Sequence, residues 1–161
     1  MNESKLILVL GDQLSFNQPA LKQAEPRRDS ILLAEVAEEA TYARHNRHKI
    51  ALLFAAMRHF RVELETLGYD VHYIAIDEGV ASLEVAVRNV LVQTAATEVV
   101  VCEPGEYRLV HQMRNLWSSS LGVPVTVLED DRFLASHDDF ELWARGKKQL
   151  RMEFFLSLIH I

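Results

Sequence analysis

The stretch "LILVLGDQLS", residues 6–15, decides the fold, because an apolar run ends abruptly there in a glycine, an acid and an amide. A short, continuously apolar run that ends in turn-forming residues is typical of a strand buried on both faces of a parallel sheet. Gly11, Asp12 and Gln13 then lie at the carboxyl end of that strand. In open α/β sheets ligands bind beyond the carboxyl ends of the strands, so the sequence predicts a binding site at this tip.

Further apolar runs of the same kind follow along the chain, at residues 31–36, 71–76, 98–102 and 124–128. Helical patterns lie between these runs, at residues 38–46, 50–67, 80–94 and 106–120. Alternating strands and helices imply right-handed crossovers and a parallel sheet. We therefore expect a doubly wound α/β fold, a five-stranded parallel Rossmann-like sheet with helices on both faces. After residue 128 the strand pattern stops, and residues 138–145 and 149–155 are predicted to form helices that leave the sheet.

The composition favours one compact domain. The chain has 161 residues, of which 49% are hydrophobic, and its formal net charge is −6. Strong binding to nucleic-acid backbones depends on clustered Lys and Arg, which this balance does not favour. The single cysteine, Cys102, excludes an internal disulfide and a thiolate zinc or iron–sulfur centre built from this chain alone.

The longest apolar run, residues 50–57, is far shorter than the ~20 residues of a membrane span, and the N-terminus lacks a signal-peptide layout. We expect a cytoplasmic protein without a membrane partner.

Acidic residues accumulate at the predicted carboxyl ends of the strands. Eleven of the 23 acids fall there, namely Asp12, Glu35, Glu38, Glu39, Asp77, Glu78, Glu103, Glu106, Glu129, Asp130 and Asp131. This edge of the sheet is therefore predicted to be electronegative. Neither of the glycine-rich phosphate-binding motifs occurs, so dinucleotides and nucleoside triphosphates fit poorly. A neutral ligand rich in hydroxyl or ring N–H donors fits better, as does Mg²⁺. Each acid taken singly is better explained by a helix N-terminus, and only the cluster as a whole favours a ligand site.

The segment after the second predicted strand places a carboxylate and an aromatic ring together. On a helix that begins near Val36, Glu39 and Tyr42 share a face, whereas Glu38 points away. The basic stretch at residues 44–49 contains two histidines, but its positive charge disfavours zinc, and we interpret it as a solvated face. Leu53, in the first turn of the next helix, is a candidate for a pocket wall. No nucleophile motif is present.

Four segments together resemble a known family. They are "LILVLGDQLS", "LLAEVAEEATYARHNRHKIALLFAAMRHF", "CEPGEYR" and "DRFLASHDDFELWARGKKQLRMEFF". In order and spacing they are similar to the N-terminal α/β domain of the iron–sulfur bacterial cryptochrome/photolyase family, the deoxyribodipyrimidine photolyase-related proteins of (6-4) photolyase type. The resemblance covers residues 5 to about 155.

The resemblance implies a light-dependent flavoprotein of two parts. The N-terminal domain of this family holds an antenna chromophore, 6,7-dimethyl-8-ribityllumazine, at the carboxyl ends of its strands. A larger helical domain carries FAD and a [4Fe-4S] cluster, and the complete protein repairs (6-4) pyrimidine photoproducts in DNA with light or senses blue light. FAD, the cluster and damaged DNA are expected only in the family's C-terminal part, beyond residue 161. The present chain is therefore expected not to be catalytic by itself.

The resemblance also implies the chromophore contacts. Asp12 and Gln13 in the first loop, Glu39 on the following helix and Leu53 as an apolar wall match the family's positions, with backbone N–H groups near Gly11. Glu35, Glu103 and Glu106 are second choices. Carboxylates there would accept hydrogen bonds from ribityl hydroxyls. We expect no catalytic residue and no metal ligand in this segment.

The expected organisation is an antenna domain over residues 1–130, a linker with the start of a helical region over 131–155, and a tail over 156–161 that departs from the family pattern. Two other functions remain open. One is a Mg²⁺-dependent phosphotransfer or receiver-like domain, which would require two acids after the first strand and a lysine after the fifth, whereas only Asp12 and no lysine occur there. The other is a non-catalytic interaction module.

Overall fold

The computed structural model describes residues 4–159, and side-chain surroundings up to residue 157. It contains a five-stranded sheet made of β1 (Lys5–Leu8), β2 (Ser30–Ala34), β3 (Asp70–Ile74), β4 (Glu98–Cys102) and β5 (Val125–Leu128). All pairings are parallel, in the order β3-β2-β1-β4-β5. The predicted doubly wound, Rossmann-like fold is confirmed. The chain moves outward from β1 to β3 and then returns to the other side of β1, so the strand order reverses between β1 and β4.

Eight α-helices connect and follow the strands in the described part of the chain. They are α1 (Pro19–Lys22), α2 (Ala37–Thr41), α3 (Arg47–Thr66), α4 (Leu83–Thr94), α5 (Tyr107–Asn115), α6 (Trp117–Leu121), α7 (His137–Ala144) and α8 (Met152–Ile159). The short helix α1 was not predicted, because a single turn that starts at a proline leaves no periodic pattern. The helix predicted over residues 106–120 is interrupted at Leu116.

The two faces of the sheet are covered by different helices. Alternate residues of a strand point to opposite faces. Leu6 and Leu8 of β1 therefore join one buried cluster with side chains of α4, α5 and α6, including the fully buried Trp117. Ile7 joins a second cluster with α1 and α3, in which Phe60 and Leu64 of α3 are buried. Helices lie on both faces, as expected.

The region between β2 and β3 differs most from the prediction. A helix was predicted over residues 38–46, but α2 ends at Thr41 and a loop follows. The reason is the side chain of Asn46, which accepts a hydrogen bond from the backbone N–H of His48 at 2.8 Å and so caps the start of α3. The loop between α2 and α3 therefore crosses the carboxyl edge of the sheet, where the sequence predicts the binding site.

The C-terminal helices stand apart from the core. No side chain of α7 is buried, and none is buried in the described part of α8. The two helices pack on each other through Phe155 of α8, whose ring centroid lies 5.1 Å from those of Phe140 and Trp143 of α7. The segment 156–161 continues α8 as far as Ile159, and its last two residues, like the first three of the chain, lie outside the described residues. Within the described range, every helix is too short or too polar to cross a bilayer.

Candidate functional site

A cavity of about 240 Å³ lies at the carboxyl edge of the sheet, where the strand order reverses. The loop after β1, α2, the first turns of α3 and the loop between β4 and α5 surround it. Its walls are largely apolar, and they include Val36, Leu53, Phe54, Met57 and Leu109. The polar side chains that line it are Asp12, Glu39, Tyr42, His45, Lys49 and Glu106. An apolar cavity with a few converging polar groups is the usual form of a small-molecule site.

The structure brings some of the residues predicted to contact a ligand together and separates others. Gly11, Asp12, Glu39, Leu53 and Glu106 all line the cavity. The remaining predicted residues, Gln13, Glu35 and Glu103, do not line it. Each of these three is buried and bonded to neighbouring elements of the protein.

Gln13 ties the loop after β1 to the end of β4. Its side-chain Nε2 donates a hydrogen bond of 2.7 Å to the backbone carbonyl oxygen of Glu103 and a longer one of 3.4 Å to that of Cys102. Only 1% of Gln13 is exposed. The amide of Gln13 therefore fixes the loop after β1, which borders the cavity through Gly11 and Asp12, to the end of β4.

Glu35 is a buried structural carboxylate. Arg58 of α3 donates two hydrogen bonds to its oxygens, at 2.7 and 2.8 Å, the hydroxyl of Tyr73 donates another, and the backbone N–H of Ile76 donates a fourth at 3.0 Å. Burial raises the pKa of Glu35, but these hydrogen bonds outweigh burial and hold its pKa below the usual value. Glu35 therefore joins β2, β3 and α3 behind the cavity.

Glu103 connects β4 to two helices. It accepts a hydrogen bond from Arg114 of α5 at 2.9 Å, and His137 of α7 lies 3.0 Å from its other oxygen. Its side chain is 9% exposed. Glu103 thus bonds to α5 and contacts the exposed start of α7 instead of facing the cavity.

The acids at the mouth of the cavity are gathered around one guanidinium group. Arg108 of α5 donates to both oxygens of Glu39 at 2.8 and 2.9 Å, to Glu38 at 3.2 Å and to Glu106 at 3.3 Å. The Arg108 guanidinium also lies over the ring of Tyr42, 4.8 Å from its centroid, and the Tyr42 hydroxyl donates to Glu106. Glu38, predicted to point away from the crevice that Glu39 and Tyr42 face, does not line the cavity, but Arg108 bonds to it from outside the cavity.

The edge of the sheet is less electronegative than its acid content suggests. Besides the pairs already described, Asp130 is bound by Arg132 at 2.5 Å and Asp131 by Lys22 at 2.6 Å. These cations come from distant or irregular segments, so a count of acids along the chain overestimates the negative potential. In the described part of the chain Asp12, which is exposed, pairs with no basic side chain.

The basic stretch at residues 44–49 is exposed except for the half-buried His45, in agreement with its interpretation as a solvated face, but two of its residues also border the cavity. His45 and Lys49 both line the cavity, and the Nε2 atom of His45 is buried without a hydrogen-bond partner among the described residues. The signal in the sequence was Asn46, a strong helix-capping residue, which starts α3 and so leaves His45 in the loop beside the cavity. Within residues 4–159 no three His, Cys, Asp or Glu side chains are grouped as metal ligands would be.

Glycine is required at position 11 because side chains of α3 approach its backbone closely. A Cβ atom at this position would lie 2.9 Å from Sδ of Met57 and 3.3 Å from two carbons of Leu53. We expect Gly11→Ala to lower the free energy of unfolding by about 1 kcal/mol, because both side chains must move. Gly105, which also lines the cavity, has open space around its Cβ position, so Gly105→Ala is expected to change stability by less than about 0.5 kcal/mol. Urea denaturation of both variants measures the difference, and equal losses would contradict this role of Gly11.

Comparison with known proteins gives two matches. The family model described as "Deoxyribodipyrimidine photo-lyase-related protein" matches residues 7–157. A (6-4) photolyase of Agrobacterium fabrum is 41% identical over 154 residues, an alignment that covers 94% of this chain and 30% of the relative. The chain therefore spans less than a third of the length of that protein.

Proposed function

Since the chain belongs to the family of deoxyribodipyrimidine photolyase-related proteins, we propose that it is the α/β domain that binds the antenna chromophore of a light-dependent flavoprotein. One observation carries the proposal. The cavity at the reversal of strand order combines apolar walls with hydrogen-bond acceptors at its mouth, in the place where this fold binds ligands.

The ligand we propose is 6,7-dimethyl-8-ribityllumazine. Its heteroaromatic ring suits the apolar wall formed by Leu53, Phe54 and Met57. Its ribityl hydroxyls suit the carboxylates of Glu39 and Glu106, which can only accept hydrogen bonds when ionised. It carries no phosphate, which agrees with the cavity. The chain has no glycine-rich phosphate loop, and the nearby guanidinium of Arg108 is already bonded to carboxylates.

On this proposal the side chains that line the cavity bind and orient the pigment, and no bond is made or broken there. His45 and Lys49 supply N–H donors to polar atoms of the ring, while Asp12 offers a further acceptor. The apolar side chains of Leu53, Phe54 and Met57 would cover one part of the ring from water. Gln13 and Glu35 act indirectly, by fixing the strands and helices that form the cavity.

We propose further that residues 1–130 form the antenna domain and that residues 131–155 lead toward a helical domain. FAD, the [4Fe-4S] cluster and the contacts to damaged DNA belong to the part of the family's chain that this sequence does not cover. The activity of the complete protein would then be light-driven repair of (6-4) photoproducts or blue-light sensing. The relative that carries the name (6-4) photolyase supports this assignment.

A titration of the purified chain with ribityllumazine, followed by the fluorescence polarisation of the pigment, tests the proposal. We expect a dissociation constant of about 10 µM or less, a binding free energy of about −7 kcal/mol. ADP at about 1 mM should not displace the pigment, since the cavity lacks a phosphate-binding loop. A pigment that stays unbound at all protein concentrations, or that ADP displaces, would contradict the proposal.

A further inference from the structure

Arg108 connects two segments that come from opposite sides of the cavity. Glu38 and Glu39 belong to α2, which follows β2, whereas Glu106 immediately precedes α5, which follows β4. The guanidinium group of Arg108 bonds to all three carboxylates, at 2.8–3.3 Å. It therefore closes a bridge of charged groups across the edge of the sheet. Arg108 itself does not line the cavity.

The helix on one side of this bridge has little else to hold it. None of the five residues of α2 is buried, so α2 lacks the apolar anchor that fixes most helices of a domain. One backbone hydrogen bond joins it to the loop that precedes α4, from the N–H of Glu38 to the carbonyl oxygen of Ala81 at 3.1 Å. The position of α2 over the cavity thus depends largely on side-chain contacts with Arg108.

The electrostatics of the cluster also indicate that Arg108 holds the carboxylates in place. Three carboxylates that share one cation would repel one another without it. The side chains are 26–39% exposed, so a single pair is modest, but several bonds to one planar guanidinium act together. Two of the three carboxylates, Glu39 and Glu106, also line the cavity. Whatever fixes Arg108 therefore fixes the acceptors that face a ligand.

We propose that Arg108 is a positioning residue of the chromophore site: it holds Glu39, Glu106 and Tyr42 in place from outside the cavity, so that the acceptors for the polyol arm are fixed before the ligand binds. Preorganised groups bind more tightly because less motion is lost on binding. This inference rests on the proposed function, since it concerns the arm of the ligand proposed above.

The test compares Arg108→Met with Arg114→Met, a matched change on the same helix α5. Arg114 pairs with Glu103 at 2.9 Å, away from the cavity lining. Each variant is titrated with ribityllumazine and with 6,7-dimethyllumazine, which has the same ring but no ribityl arm. We expect Arg108→Met to weaken binding of ribityllumazine about tenfold and to leave that of the armless ring nearly unchanged. Arg114→Met should affect neither ligand, and Arg108→Lys should recover only part of the loss, because an ammonium cannot form the planar fork.

A second measurement is independent of any ligand. The amide of Tyr42 bonds to the carbonyl oxygen of Glu38 at 3.0 Å, so hydrogen exchange at this amide reports how often the single turn of α2 opens. Exchange there should be faster in Arg108→Met than in Arg114→Met. Equal loss of both lumazines, unchanged affinity for ribityllumazine, or unchanged exchange at Tyr42 would each overturn the positioning role while leaving the proposed function standing. Failure of the unaltered chain to bind ribityllumazine would instead overturn the proposed function, and this inference with it.

Discussion

Replacing Glu35 with glutamine is expected to lower the free energy of unfolding by about 2–3 kcal/mol at pH 7. The Glu35 side chain is fully buried, and its two oxygens receive bonds from Arg58, Tyr73 and the N–H of Ile76. A glutamine amide would present donor hydrogens to the Arg58 donors and leave a buried group unsatisfied. The Arg58 side chain is 55% exposed and can return to water, which keeps the loss below that of a fully buried pair.

The matched control is a carboxylate–arginine pair within α3, the helix that carries Arg58. Glu65 pairs with Arg61 at 2.8 Å, and both side chains are more than 40% exposed. Glu65→Gln should therefore cost less than about 0.5 kcal/mol, as exposed pairs one helical turn apart usually do. Urea denaturation of both variants measures the comparison. Losses of equal size would mean that Glu35 does not join β2, β3 and α3 as its contacts indicate.

The effect of Glu35 should depend on pH with a definite sign. Hydrogen bonds hold the pKa of Glu35 below its usual value in the folded protein. A carboxyl group with a depressed folded-state pKa stabilises the protein fully above its unfolded-state pKa, and that contribution is lost as the pH falls through the folded-state pKa. The difference between the unaltered chain and Glu35→Gln should therefore be constant near neutral pH and shrink below about pH 4.

The sheet could be predicted from the sequence because its signal is local. Each strand is a continuous apolar run, and every strand lies within two residues of its predicted bounds. Parallel strands buried on both faces leave this pattern in the chain itself. The region between β2 and α3 could not be predicted as well, because α2 is a single turn and its contact with Arg108 comes from about seventy residues away in sequence.

The candidate site could be predicted only in part, because contacts between residues distant in sequence decide which side chains face the cavity. Asp12 and Gln13 are adjacent polar residues at one strand tip, and the sequence does not indicate which of them faces the cavity. Pairing of Gln13 with the backbone of β4 decides it, and β4 lies about ninety residues further along the chain. Likewise Glu35 has the appearance of a ligand-binding acid until its partners on α3 and β3 are known.

Filling the cavity from α3 is expected to abolish chromophore binding. Leu53 lies in the apolar wall, and its side chain also packs close to Gly11. An indole ring at this position would occupy the space proposed for the lumazine ring. We expect Leu53→Trp to weaken binding of ribityllumazine at least about a hundredfold, a loss of roughly 3 kcal/mol or more. Titration by fluorescence polarisation measures it.

The neighbouring residue supplies the control. Leu52 is 72% exposed and does not line the cavity, so Leu52→Trp adds the same ring to the same turn of α3 but directs it to solvent. That variant should bind ribityllumazine as the unaltered chain does. Circular dichroism of both variants should retain the helical signal, since Leu53 is only half-buried and the larger ring can extend into the cavity. If Leu53→Trp is folded and still binds with full affinity, the pigment lies elsewhere, because one small cavity cannot hold an indole and a lumazine ring together.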